Sequence, residues 1–255
     1  MIEEKIAVTL ATGEMLSGVL HHPHADAPGS AVILCHGMDS NKNSEKLVYL
    51  CRALARRGVL ALRFDFRYVG ESNGEFADIT YSGEVDDLEA AYAFVQHRRP
   101  VRTAILGSSM GGTVALLFAA REPRVAALVT VAAPIHPEAF PRRILTDQQL
   151  QQWRERGFTI YRGQRLNATL LEDLERLDVL ASARKVTCPT LVIHGEADEV
   201  VPVEEARELH ACLTGPKKLC ILKGTDHRIS DPHLRQRALD GAVDWLTERM
   251  GGQTQ

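Results

Sequence analysis

No stretch of the 255-residue sequence approaches 18 consecutive apolar residues, so no membrane-spanning helix is predicted. Basic residues are not in excess either. Thirty Lys and Arg against 33 Asp and Glu give a formal net charge of -3, and a pI near 6.4 argues against a nucleic-acid surface, which needs clustered cations. Cysteine is scarce: Cys35, Cys51, Cys188, Cys212 and Cys220 are widely spaced, odd in number and without a CxxC pair. They read as reduced thiols rather than a disulfide frame or a zinc site. The first residues lack the apolar stretch of a signal peptide and carry Glu3, Glu4, Lys5 and Glu14 instead, so a cytoplasmic location is the expectation. No metal-ligand cluster and no dinucleotide fingerprint appears, so neither a metal nor a cofactor is expected. What is present is ordinary globular composition, 45% apolar and 25% charged, enough for one sizeable core.

Residues 5–10 and 15–21 alternate loosely around Ala11-Thr12-Gly13-Glu14 and predict an opening β-hairpin, followed by a polar loop from Pro23 to Ser30. Short apolar runs then follow at 31–35, 59–64, 102–106, 127–132, 190–194 and 219–222. Helical patterns separate them at about 43–57, 82–97, 109–121, 203–213 and 231–250. In the second of these, Val85, Leu88, Ala91, Tyr92 and Val95 share one face. Continuously apolar strands alternating with helices predict a mostly parallel, doubly wound α/β sheet covered on both sides. From Ile135 to about Glu175 the alternation stops and no strand-like run is visible. A structureless loop of that length is improbable in a compact domain, so short helices sitting over something are expected there. The predicted division is a core of residues 1–134 and 176–255 with a lid insertion at 135–175.

The strongest chemical signal is Gly107-Ser108-Ser109-Met110-Gly111-Gly112, which follows an apolar run and opens a helical stretch. It matches G-x-S-x-G with Ser109 central, in the strand-turn-helix setting that gives the motif meaning. The turn must be sharp enough to present a hydroxyl above the sheet edge, and Gly107 and Gly111 remove Cβ atoms that would crowd it. The other reading is a glycine turn that only packs a helix on a strand or holds a phosphate.

A second turn, His36-Gly37-Met38, ends the run at 31–35. With these two motifs the chain resembles the α/β-hydrolase superfamily of serine hydrolases, in particular small carboxylesterases and feruloyl esterases with a short lid. The resemblance implies an α/β-hydrolase fold, and it assigns the two oxyanion-hole N–H groups to the backbone of Met38 and Met110, with His36 structural. It further matches Asp198 in His194-Gly195-Glu196-Ala197-Asp198-Glu199-Val200-Val201-Pro202 to the family's acid, against Glu196 and Glu199 as solvated loop charges. His227, in Gly224-Thr225-Asp226-His227, matches the base, and the order Ser109, Asp198, His227 is the family's order. Arg63-Phe64-Asp65-Phe66-Arg67-Tyr68-Val69-Gly70-Glu71-Ser72 resembles the family's D-x-R-G-x-G-x-S turn, with Tyr68 where a glycine is usual. Bracing of the active-site face is its favoured role, projection of Tyr68 toward the pocket the alternative.

The activity so implied is hydrolysis of short- to medium-chain or aryl carboxylic esters through an acyl-enzyme, by a monomer or homodimer acting on a small-molecule ester. A thioesterase or a small peptidase or amidase on the same triad is the alternative, and a silent binding protein on the same fold the more distant one. Phe140, Trp153, Phe158 and Tyr161 are pocket candidates in the lid, or else the lid's own small core. Arg142, Arg143, Arg154, Arg156, Arg162 and Arg165 outnumber the three acids of residues 135–171. A solvated lid face is favoured for them over an arginine fork for an anionic group.

Overall fold

In the computed structural model, which describes residues 2–23, 29–98, 100 and 102–251, the predicted strand runs form one eight-stranded sheet. The strands are β1 (Ile2–Thr9), β2 (Met15–His22), β3 (Ser30–Cys35), β4 (Leu60–Phe64), β5 (Arg102–Ser108), β6 (Val125–Val131), β9 (Thr190–Gly195) and β10 (Lys217–Leu222). They lie in the order β1-β2-β4-β3-β5-β6-β9-β10. β1 and β2 form the expected antiparallel hairpin, β2 pairs antiparallel with β4, and every pairing beyond β4 is parallel. Most of the loop predicted from Pro23 to Ser30 lies outside the described residues.

All six residues of β3 and all six of β9 are buried, because helices cover both faces of the sheet. One core lies under α2 (Tyr81–Gln96), α3 (Met110–Ala119) and α8 (Val203–Cys212), the other under α1 (Glu45–Arg56) and α9 (Pro232–Met250). The predicted apolar face of α2 is buried as expected, but it also takes Glu84 and Asp87 to zero exposure. Asp87 accepts from the Arg67 backbone N–H at 2.7 Å and from its Nε at 2.5 Å. Neither oxygen of Glu84 has a partner among the described residues, and burial pushes its carboxyl well above the ordinary carboxylate range.

The segment between β6 and β9 departs from expectation. It holds the short helices α4 (Phe140–Ile144), α5 (Asp147–Arg156), α6 (Thr169–Arg176) and α7 (Val179–Ala183). It also holds a hairpin of β7 (Phe158–Tyr161) and β8 (Gln164–Asn167), where no strand was predicted. The hairpin turns on Arg162 (φ 49°) and Gly163 (φ 80°), the left-handed pair of a tight two-residue turn. Because β6 sits between β5 and β9, the segment leaves the sheet at the carboxyl edge, beside the glycine turn that ends β5.

Candidate active site

Four loops at the carboxyl ends of parallel strands carry the residues singled out in the sequence, the edge at which α/β sheets place their ligands. Ser109 follows β5 directly and caps α3 with φ 53° and ψ -126°, a left-handed backbone rare for a side chain larger than hydrogen. The Ser109 N–H donates to the Val131 carbonyl at 2.8 Å, which ties the turn to β6. A Cβ on Gly107 would lie 2.1 Å from the Gly111 carbonyl oxygen, and one on Gly111 would lie 2.2 Å from that of His36. Both glycines are therefore required by contact with backbone.

The three predicted groups meet. His227 Nε2 lies 3.1 Å from Ser109 Oγ, and His227 Nδ1 lies 2.8 Å from Asp198 Oδ2. An acceptor on Nδ1 fixes the neutral imidazole with its proton there and its lone pair facing the serine hydroxyl. The Asp198 side chain is fully buried. Its Oδ1 accepts from the backbone N–H groups of Val200 and Val201 at 2.9 and 2.8 Å. Burial alone would raise its pKa, but hydrogen bonds from His194, His227 and the Val201 N–H outweigh that and hold the carboxyl well below its usual range. Neither competing acid reaches the imidazole: Glu196 accepts from the Gly224 N–H at 3.0 Å, and Glu199 from the His227 backbone N–H at 3.3 Å.

His194 is a contributor that the sequence did not reveal. It lies on β9, 1% exposed, with Nε2 3.2 Å from Asp198 Oδ2 and 2.9 Å from the Val201 carbonyl. Both neighbours are acceptors, so Nε2–H donates between them and steadies the same carboxylate oxygen that His227 contacts. The only hint in the sequence was its place at the end of a buried strand, four residues before Asp198.

His36 is held elsewhere. Its Nε2 accepts from the Phe66 N–H at 3.1 Å, so Nδ1–H donates to the Gly37 carbonyl at 2.9 Å, and burial depresses its pKa. Both ring nitrogens are occupied by backbone, which makes it a strut between the turn after β3 and the turn after β4. That second turn is braced in turn by Asp65, which accepts from the Lys42 N–H at 2.7 Å and the Glu71 N–H at 2.9 Å. Tyr68 adopts φ 81°, the glycine-like conformation, and its ring packs against Gly74 and Gly83 rather than lining the cavity.

Ser109 and His227 open on a cavity of about 730 Å³, large enough for a drug-sized molecule. On one side its wall belongs to the first core and the β6–β9 segment, with Tyr81, Phe140, Tyr161 and Leu170. On the other it belongs to α1, α9 and the loop after His227. Met38 and Met110 line it too, and among the described residues neither of their backbone N–H groups has a protein acceptor. Two of the four aromatic candidates thus reach the cavity. Trp153 does not, being 1% exposed in the first core, and Phe158 stacks under the Arg165 guanidinium at 4.1 Å. Of the six arginines in residues 135–171, the two at the cavity are already paired, Arg143 with the buried Glu205 and Arg162 with Asp39.

Residues 26–174, more than half of the chain, match the family model described as serine aminopeptidase, S33. The chain belongs to this α/β-hydrolase family. The match takes in the turns of Met38 and Ser109 but ends before Asp198 and His227. Among relatives of this α/β hydrolase, the mouse palmitoyl-protein thioesterase ABHD10 is 27% identical over 233 residues, covering 85% of this chain and 76% of that protein. An uncharacterized protein of Mycobacterium tuberculosis is also 27% identical, covering 93% and 75%. Among solved structures, Est1E from Butyrivibrio proteoclasticus with bound ferulic acid superposes with a TM-score of 0.85 at 22% identity, covering 96% of this chain and 99% of that one. The last likeness shows the fold. Among the described residues no helix is long and apolar enough to cross a membrane, and all five cysteines are free thiols.

Proposed function

We propose that this α/β hydrolase is a serine esterase that cleaves carboxylic esters of short- to medium-chain or aryl acids through an acyl-enzyme. The observation that carries the reading is the hydrogen-bonded line from Ser109, which faces the cavity, through His227 to the buried Asp198. In this reading His227 takes the Ser109 proton as Oγ attacks the acyl carbonyl. The Met38 and Met110 N–H groups receive the oxyanion, and His227 returns the proton to the departing alcohol. Water then repeats the sequence on the acyl-enzyme. Asp198 holds the imidazole in the reactive tautomer and stabilises its charged form. Residues 135–175 act as a lid over a core of 1–134 and 176–255, latched to the oxyanion turn where Arg162 Nη1 donates to Asp39 Oδ2 at 2.6 Å.

An aminopeptidase, the activity in the family model's description, must hold an α-ammonium group against a carboxylate. At the cavity Asp39 is engaged by Arg162 and Glu199 by the His227 N–H, and the third lining carboxylate, Glu45, is exposed to solvent on α1. No buried, unengaged carboxylate among the described residues faces the cavity, which favours an ester over an aminoacyl amide. A thioester is the second reading, favoured by the mouse relative, whose name is that of a thioesterase. Fluorophosphonate labelling with a panel of nitrophenyl esters, acyl thioesters and aminoacyl amides tests these. Ser109→Ala is expected to abolish labelling and lower turnover about 10⁴-fold or more. Asp198→Asn should fall less far, and Glu196→Gln should stay near normal. A thousandfold preference for amides, or equal losses at Glu196 and Asp198, would refute the proposal.

A further inference from the structure

The charge on the cavity wall is unevenly balanced. The arginines of the lid side are neutralised by Glu205 and Asp39, as described above. Across Ser109, on the wall built by α1, α9 and the loop after His227, stand three more cations: Lys46, Arg228 and Arg235. Among the described residues neither guanidinium is paired with a carboxylate, and Lys46 Nζ donates to the Arg228 carbonyl. Of three acids nearby, two are turned to other tasks and the third is solvated. Asp226 accepts from the Ser230 N–H at 2.7 Å and from its hydroxyl at 2.5 Å, Glu199 faces the His227 N–H, and Glu45 is exposed. Burial, with the like charges of Arg235 and Arg228 behind it, depresses the Lys46 pKa despite the opposing charge of Asp226. Below the cations the wall is apolar, lined by Leu47, Leu50, Ala238 and Leu239. The half-buried Lys46 and Arg235 and the exposed Arg228, none of them paired with a carboxylate among the described residues, stand beside an apolar cleft and suit a ligand with an apolar body and an anionic end.

The side of the cavity identifies which half of the substrate that is. The leaving group must lie against the imidazole that protonates it, and Arg228 is the residue after His227. We propose that Lys46, Arg228 and Arg235 form an anion subsite for a carboxylate or phosphate carried by the leaving group, so that the favoured substrates are acyl esters or thioesters of an anionic alcohol or thiol. The assignment of the subsite to the leaving group rests on the esterase reading; the existence of the subsite does not.

Two measurements separate these. In the first, calorimetry compares binding of 4-hydroxyphenylacetate, 4-hydroxybenzylphosphonate and the neutral 4-hydroxyphenylacetamide to the wild-type protein. Either or both anions should bind roughly tenfold more tightly than the amide at low salt, the larger gain identifying carboxylate or phosphate. The advantage should disappear in the Arg228→Gln/Arg235→Gln double variant and shrink in high salt. In the second, kcat/KM is measured for the butyryl esters of the same three phenols and for the hemisuccinate ester of the amide. The anionic-to-neutral ratio among butyryl esters should follow the binding ratio, whereas the charge on the hemisuccinate should bring no gain. Equal binding of all three phenols, an advantage that survives the double variant, or a preference that follows charge in the acyl half overturns the proposal. If no ester turns over while the anions still bind in a variant-sensitive way, the esterase reading fails and the subsite stands.

Discussion

Replacing Glu84 with glutamine removes an ionisable group from the centre of the molecule while keeping its shape. Glu84 has zero exposure, neither oxygen finds a partner among the described residues, and Asp87 one turn away adds a like charge. Burial, then Asp87, raises its pKa well above the 4.5 of a free glutamate, so the folded protein keeps the proton that the unfolded chain releases. The sign follows from that difference. Below about pH 4.5 both states are protonated and the folded state bears no cost from this site. As pH rises toward the folded pKa, the unfolded state is favoured by about 1.4 kcal/mol per pH unit. Glutamine has no proton to lose. The stability of Glu84→Gln relative to wild type should therefore stay constant at pH 4 and below, then climb by about that slope. It would reach roughly 3 kcal/mol by pH 7, provided the folded carboxyl is still neutral there. Urea midpoints of both proteins at half-unit steps from pH 4 to pH 8, with ester turnover measured alongside, check this. Glu84 lines no part of the cavity, so turnover should be unchanged. Parallel pH curves, or a variant less stable at pH 8, would mean that the carboxylate is ionised in the folded protein with a partner the structure does not show.

Two further substitutions probe the site itself. His194→Phe keeps the bulk of the imidazole on β9 but removes the N–H that Asp198 accepts. A hydrogen bond to a charged group is worth about 1.5–3 kcal/mol, so kcat should fall on the order of tenfold to a hundredfold with KM little changed. His194→Gln, which restores a donor, should recover part of the loss, and an unaltered kcat in the Phe variant would remove His194 from the positioning role. Gly111→Ala places a methyl group 2.2 Å from the His36 carbonyl oxygen, a clash only backbone movement can relieve. It should cost about 1–3 kcal/mol in stability and most of the fluorophosphonate labelling. A variant that melts and labels like wild type would show that the glycine turn around Ser109 is looser than the contact implies.

The parts of the fold legible in the sequence are those whose burial leaves a one-dimensional mark. Strands covered on both faces, such as β3 and β9, read as unbroken apolar runs, and helices covered on one face, such as α2, read as a stripe. The hairpin of β7 and β8 leaves no such mark. Each strand has four residues, only Leu166 among them is buried, and Arg162 occupies a left-handed turn position usually given to glycine or asparagine. Thr159, Ile160 and the Arg162-Gly163 pair were the available signal, outweighed by the surrounding Gln and Arg. Tyr68 shows the same effect in reverse: a tyrosine takes the φ of the expected glycine because its ring packs over Gly74 and Gly83.

At the site, the motifs and the family resemblance they carry suggested which residues lie at one sheet edge, because motifs mark strand ends and parallel strands all end on the same side. It could not show direction. Trp153 and Phe140 occupy the same polar segment, yet one is sealed in the core and the other faces the cavity. His36 and His194 both precede a glycine at a strand end. The ring nitrogens of one are occupied by backbone groups, while Nε2 of the other reaches Asp198. Charge is the extreme case. The arginine-rich segment of residues 135–171 drew attention because its cations are close in sequence, but the two that reach the cavity are neutralised there. The three cations without a carboxylate partner among the described residues stand at positions 46, 228 and 235, brought together because α1 and α9 pack on the same face of the sheet and the loop after His227 runs between β10 and α9. An excess of charge along the chain is therefore a poor guide to charge in a site: of the six arginines in residues 135–171, Arg143, Arg154 and Arg162 are ion-paired among the described residues, and only the fold decides which cations at the cavity are left without a counter-ion.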